Sequence, residues 1–249
     1  MDVEHNQEIQ SLIRLNDQKH KHLIRLLVAY EHKSELHLVF PWAAGNLLDF
    51  WQTRFPNTDD PLRDRFLAIW MTEQMYGLAS GLNAIHTDAS SRLAVNKKHG
   101  RHGDIKPENV LLFPKESSVN GKLHMDTLKI SDFGLMEFRG TVSKEHVPLD
   151  GLAASPTYRG PEWDISRQVA PSYDIWCIGC VFLEFVEWYL KGWEGVDDFS
   201  QNRLDDTAQW VEMPQYKEDT FFVRTVRTSH NSAKRELGAT LKLSVKRVG

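Results

Sequence analysis

A chain of 249 residues that is 41% hydrophobic and 26% charged has the composition of a soluble globular protein, long enough to bury a core without disulfide staples. Its net charge of −4 argues against a nucleic-acid-binding surface, and no apolar run reaches the roughly 18 residues a membrane span needs. The opening MDVEHNQEIQ is polar and acidic, unlike a signal or transit peptide, and two cysteines in such a chain point to a reducing compartment, so an intracellular place, cytoplasm or nucleus, is expected.

In chain order, residues 4–15 read as a helix with Ile9, Leu12 and Leu15 on one stripe and Val3 at its start. LIRLLVAYEH (23–32) and ELHLVF (35–40) read as strands around a short turn, His32 to Ser34. Pro41 ends the second strand because it cannot donate to a ladder. AAGNLLDFWQ suggests a linker and a short helix. Residues 62–86 read as a long helix, with Met71, Met75, Leu78, Leu82 and Ile85 spaced by fours and threes, and the methionines are core. Polar residues 87–101 read as a loop, and its NKKHGR stretch as a solvated insertion rather than a dock for an acidic partner. A strand is expected at 110–113. It is followed by a hairpin connection containing Asn120-Gly121 and a second strand at 128–130. A long connection without clear period then runs to about 170. The helix at 172–190 is apolar almost all round. Cys177 and Cys180 lie on it with no second ligand pair to complete a zinc site, so they read as buried apolar residues. The remainder is mixed and amphipathic.

The chemistry gathers at strand ends. Asp104 and Asn109 lie five apart on a loop entering a strand, and Asp132 ends the next one. Pairing those strands would bring two carboxylates and an amide together, an oxygen set suited to magnesium. Lys106 adds a compact positive charge, so the site reads as one that handles phosphate. Gly134 gives the backbone freedom two residues past Asp132.

HGDIKPENVLL, ISDFG and TYRGPE, in that order and followed by SYDIWCIGCVFLE, resemble the catalytic loop, the metal-binding turn, the end of the activation segment and the central helix of eukaryotic protein kinases. The resemblance implies an α+β, bilobal fold, with residues 1–42 a truncated N-lobe of one helix and about two strands. Residues 43–249 would form a mostly helical C-lobe. It implies ATP and Mg2+ as cofactors. Asp104 would accept the substrate hydroxyl proton, Lys106 would steady the transferring phosphate, and Asn109 and Asp132 would hold metal. Lys106, with Thr157, implies a protein partner bearing a serine or threonine hydroxyl. Glu8 would be the glutamate that pairs the ATP-anchoring lysine. Phe40 would be the gatekeeper, Pro41 to Ala43 would bind adenine through their backbone, and Leu111 would lie beneath the adenine ring. Leu12, Leu26, His102 and Phe133 would stack as a hydrophobic column, with His99 left as a solvated loop residue. Asp174 would hold the catalytic loop. Glu162 would close the activation segment, with Arg235 or Arg247 as candidate partners.

Three departures stand out. Gly103 occupies the position of an arginine that grips an activation-segment phosphate in regulated kinases. Phosphorylation of Thr141, Ser143 or Ser155 is therefore not expected to switch activity through it. Nothing in the chain matches the glycine-rich loop or the lysine of the following strand. The seven residues before Glu8 span only about 25 Å at full extension. The third departure is at the other end, where no closing helix is evident. The resemblance covers residues 4–200 closely and the rest loosely. A catalytic kinase and a non-catalytic kinase-like interaction module both follow as readings, the first with weak or absent ATP affinity in this chain.

Overall fold

The computed structural model describes residues 3–56, 61–87, 99–114, 126–139, 147–148, 154–206, 217–228 and 235–248. The Asn120-Gly121 turn, Thr141 and Ser143 lie outside them. The fold is mixed α+β, with helices and small antiparallel sheets, and divides into two compact units, residues 1–145 and 146–249. Among the described residues no helix is long and apolar enough to cross a membrane.

In the first unit, helix α1 (Val3–Gln18) buries Leu12 and Leu15, one turn apart on its apolar stripe. Lys19, at φ 49°, ends it in the left-handed conformation common after helix termini. The Asn16 side chain then stands in for a strand. Its Nδ2 donates to Leu26 O at 2.7 Å and its Oδ1 accepts from Leu26 N at 3.0 Å. Residues 23–27 were expected to be strand. They are instead extended segment, and strand β1 begins only at Val28. Ile24 N donates to Ile130 O and Ile130 N to His22 O, so the start of this stretch bonds to a later strand, and only Leu27 N, on Val39 O at 2.8 Å, reaches its hairpin mate. β1 (Val28–His32) pairs antiparallel with β2 (Glu35–Val39). Lys33 and Ser34, both at positive φ, make the two-residue turn that a right-twisted hairpin favours.

β3 (Gly45–Asn46) leads into α2 (Leu47–Thr53), which opens with a reciprocal capping box between Asn46 and Asp49. α3 (Pro61–His86) buries Met71, Leu78, Leu82 and Ile85. It also fixes a strand by polar contacts: Gln74 Oε1 accepts from Leu128 N at 3.0 Å, and Trp70 Nε1 donates to Asp126 O at 2.7 Å. The expected loop 87–101 ends in a strand instead, β4 (His99–Arg101). Its polar residues hid it, because its partner β7 (Glu137–Arg139) lies far along the chain. A 3-10 turn (Pro107–Asn109) delivers β5 (Val110–Phe113), the middle strand of β3–β5–β6, where β6 is Thr127–Ile130.

In the second unit the long connection carries β8 (Val147–Pro148), α4 (Pro161–Ile165) and β9 (Gln168–Val169). These were unreadable because each is shorter than two periods of any pattern. α5 runs Ser172–Asp205, beyond the expected end at 190, with a break at Gly192 (φ 72°) where two helices meet. The amphipathic remainder forms a hairpin, β10 (Phe222–Thr228) with β11 (Arg235–Leu241), and a short α6 (Leu243–Lys246). Cys177 and Cys180 are buried, free thiols on α5. Burial pushes both well above the usual thiol range, which leaves them unreactive.

Arg203 anchors this unit. It is buried, bonded to Glu184 at 2.9 Å and Asp219 at 2.6 Å, and its guanidinium lies 4.4 Å from the Phe199 ring and 4.2 Å from the Phe221 ring. Tyr158 OH donates to the other Glu184 oxygen at 2.8 Å. A second ionic ring joins Arg159, Asp164, Arg224 and Glu218, tying α4 to the hairpin.

Two outcomes follow. A Cβ on Gly77 would overlap the His22 imidazole, whose Nδ1–H donates to Leu128 O at 2.8 Å. Gly77→Ala should therefore lose about 1–3 kcal/mol in urea unfolding, and a gain of about 1 kcal/mol from helix propensity alone would contradict this packing. Burial raises Glu184 to about 7, with Arg203 and Tyr158 opposing the shift. A carboxyl raised in the folded state holds its proton there, so its stabilisation is full below about 4.5 and is lost as pH rises through about 7. The unfolding free energy of wild type minus that of Glu184→Gln should fall by about 3 kcal/mol between pH 4.5 and 7.5. A difference constant with pH would count against this burial.

Candidate active site

The site residues of the first unit converge because β5 and β6 are paired neighbours. Val110 lies opposite Ile130, and Leu111 opposite Lys129. Asn109 and Ser131 are the residues immediately outside those pairs, at the same end of the sheet. Asp104 reaches the same place through the loop that precedes the 3-10 turn.

Asp104 Oδ2 accepts from Lys106 Nζ at 2.7 Å and from Asn109 Nδ2 at 3.0 Å. Asn109 Nδ2 also donates to the Asp104 carbonyl at 2.9 Å. Both amide hydrogens are thus spent on Asp104. The remaining Asn109 polar atom, Oδ1, is an acceptor only and is suited to a cation. Asp132 is exposed and in the left-handed region, φ 61°, which aspartate tolerates better than most residues. Its carboxylate accepts a long bond, 3.4 Å, from Gly134 N. Its neighbours Ser131 and Phe133 are both buried. The carboxylate thus faces solvent between two buried neighbours. The donor set, one carboxamide oxygen and one exposed carboxylate, fits magnesium, which takes few protein ligands.

His102 is fully buried, with its ring centroid 5.3 Å from that of Phe133 in an edge-on arrangement. Its Nδ1 accepts from Asp104 N at 3.3 Å, so Nε2 carries the proton and donates to Ser131 O at 2.9 Å. Leu12 and Leu26, the other expected members of the column, are also buried. Gly103 sits at φ +88°, and a Cβ there would lie 3.3 Å from Leu135 O. A side chain at this position would be strained by about 1–2 kcal/mol in the left-handed region, so glycine suits this backbone as it stands.

Of the expected adenine-facing residues, Leu111 is on β5, and Ala44, next to Ala43, donates its N–H to Leu112 O at 2.8 Å. Phe40, Pro41 and Ala43 are half-buried and Trp42 is 93% exposed. Pro41 has no N–H, so the donors of this stretch are Trp42 and Ala43. Leu111 is half-buried, on the face it shares with Lys129. Glu8 lies on α1, its side chain outside the described residues. His99 is on β4 rather than in a loop. In the second unit Asp174 is fully buried, Glu162 opens α4 half-buried, and Arg247 is exposed. Ser131 was missed by sequence reasoning. Its only signal was a hydroxyl residue directly before a metal-type aspartate.

The sequence matches the family model described as protein kinase domain over residues 2–240. Among curated relatives, the serine/threonine-protein kinase unc-51 of Caenorhabditis elegans is 28% identical over 71% of this chain and 18% of its own. Cyclin-dependent kinase 7 of Dictyostelium discoideum is 29% identical over 74% of this chain and 43% of its own. Human cyclin-dependent kinase-like 4 is 30% identical over 75% of this chain and 41% of its own. The chain therefore spans less than half the length of each of these relatives. With a match running nearly from end to end and these serine/threonine kinases as relatives, the chain belongs to the protein kinase domain family.

Proposed function

We propose that the chain serves as a serine/threonine protein kinase domain that transfers the γ-phosphate of ATP to a protein hydroxyl. Residues 1–42 form its partial N-lobe and 43–249 its C-lobe, and it works inside the cell, in cytoplasm or nucleus. The observation that carries the reading is the bonded set of Asp104, Lys106 and Asn109 with Asp132 at its edge. A scaffold has no physical need for that combination.

Bound Mg-ATP supplies the phosphoryl group and the metal charge that neutralises it. Asp104 accepts the proton of the attacking serine or threonine hydroxyl. Lys106, an ammonium 2.7 Å from Asp104, places positive charge where the phosphate passes. Asn109 Oδ1 and the Asp132 carboxylate would hold the metal. Leu111 and the backbone of Pro41 to Ala43 would receive the adenine, Phe40 would stand behind it, and Glu8 holds the position of the glutamate that pairs an ATP-anchoring lysine, a lysine this sequence does not match. Gly103 offers no guanidinium to a phosphate on the segment that contains Ser155, so that route of switching is closed.

The alternative, a kinase-like interaction module, is favoured by one observation. No stretch of the 249 residues matches the glycine-rich loop or its lysine. That absence predicts weak Mg-ATP binding by this chain, with a dissociation constant on the order of 1 mM, and negligible phosphoryl transfer. Titration of protein into Mn2+-ATP, read by the change in water-proton relaxation relative to Mn2+-ATP without protein, should show this weak binding in wild type and none in Asp132→Asn. Equal behaviour of the two proteins would favour the interaction module, and micromolar Mg-ATP affinity by calorimetry would contradict the expected weakness.

A further inference from the structure

We propose that Ser131 is a positioning residue, whose hydroxyl fixes the Asn109 peptide and with it the carboxamide that would hold metal beside Asp132. The inference rests on the reading of those two residues given above and deepens it.

All three polar groups of Ser131 are bonded within the site. Its N–H donates to Asn109 O at 2.9 Å, and its Oγ–H donates to the same oxygen at 2.9 Å. Its carbonyl accepts from His102 Nε2 at 2.9 Å. With Asp104 N on His102 Nδ1 and Asn109 Nδ2 on Asp104, these bonds close a circuit: Asp104, His102, Ser131, Asn109 and back to Asp104.

The backbone bonds of that circuit are open to any residue at position 131, but the hydroxyl bond is not. Strand pairing alone needs one donor for the Asn109 carbonyl, and Ser131 N provides it. The second donor comes from a side chain only 5% exposed, and a buried hydroxyl is costly unless bonded. Its geometric effect is specific. Two donors from different directions fix the plane of the Asn109 peptide, and so the root of the carboxamide whose Oδ1 faces a cation. On its other side, the His102 bond fixes the plane of the Ser131–Asp132 peptide and holds Asp132 in its left-handed turn. One residue thus sets the orientation of both ligands. Such outer partners commonly alter metal affinity by 10- to 100-fold.

The test compares Mn2+ binding in the presence of ATP for wild type, Ser131→Ala, Ser131→Thr, Ser131→Cys and Asp132→Asn. Ser131→Ala should bind about tenfold more weakly. Ser131→Cys, which keeps the volume but donates poorly, should follow it. Ser131→Thr, which keeps the hydroxyl, should stay within about twofold of wild type. Threonine as weak as alanine would overturn the proposal, because packing rather than the hydroxyl would then be responsible. So would alanine binding as wild type does while Asp132→Asn does not, an outcome that leaves the reading of the site intact. Binding that Asp132→Asn leaves unchanged would overturn the site reading, and this proposal with it.

Discussion

The carbonyl oxygen of Asn109 is where the first unit is held together. It accepts from both the N–H and the hydroxyl of Ser131, and through it the loop carrying Asp104 and the turn carrying Asp132 are joined. A circuit of hydrogen bonds is stiffer than its separate members, because each bond polarises the next, and here the two side-chain bonds of Ser131 and His102 are buried. Everything else in the unit delivers its members. α3 places β6 through Gln74 and Trp70, residues 22–24 clasp Ile130 from the other side, and the 3-10 turn aims Asn109. The hydrophobic core supplies the driving force, and the polar circuit supplies the geometry.

The second unit is held by a different device. Its centre is a buried guanidinium, Arg203, between two phenyl rings and two carboxylates. Buried ion pairs give little net stability, since desolvation offsets attraction, but losing one partner is costly. Such a centre therefore specifies an arrangement more than it stabilises one. Here it fixes Tyr158, two residues before Gly160, against α5. The adjoining ring of Arg159, Asp164, Arg224 and Glu218 does the same for α4 and the hairpin. The segment holding Thr157 and Glu162 is thus gripped from two directions by charge.

The parts legible in the sequence were those with a strong period or a strong motif. α1, α3 and the start of α5 showed their apolar stripes, β5 and β6 their short apolar runs, and Asp104, Lys106, Asn109 and Asp132 their order. The rest was hidden for physical reasons. β4 and β7 are polar three-residue strands whose pairing is long-range. Residues 23–27 carry a strand-like composition, but Ile24 bonds to Ile130 and Leu26 to the Asn16 side chain, and only Leu27 bonds to the hairpin strand. Gly192 breaks α5 without stopping it. β10 runs FVRTVRT with no two-residue period, and its Arg224 serves ion pairs that only the folded chain makes. Ser131 carries no period at all, and its importance comes from three bonds that only the folded chain makes.

The central claim is that this circuit presents Asn109 and Asp132 as one metal-holding pair. Adding Mn2+ with ATP to 15N-labelled protein tests it most directly, because a paramagnetic ion broadens the amide signals nearest to it. The account predicts selective loss of the Asn109, Ser131, Asp132 and Phe133 amides, absent in Asp132→Asn. Broadening centred elsewhere in the chain, or the same pattern in Asp132→Asn, would contradict it.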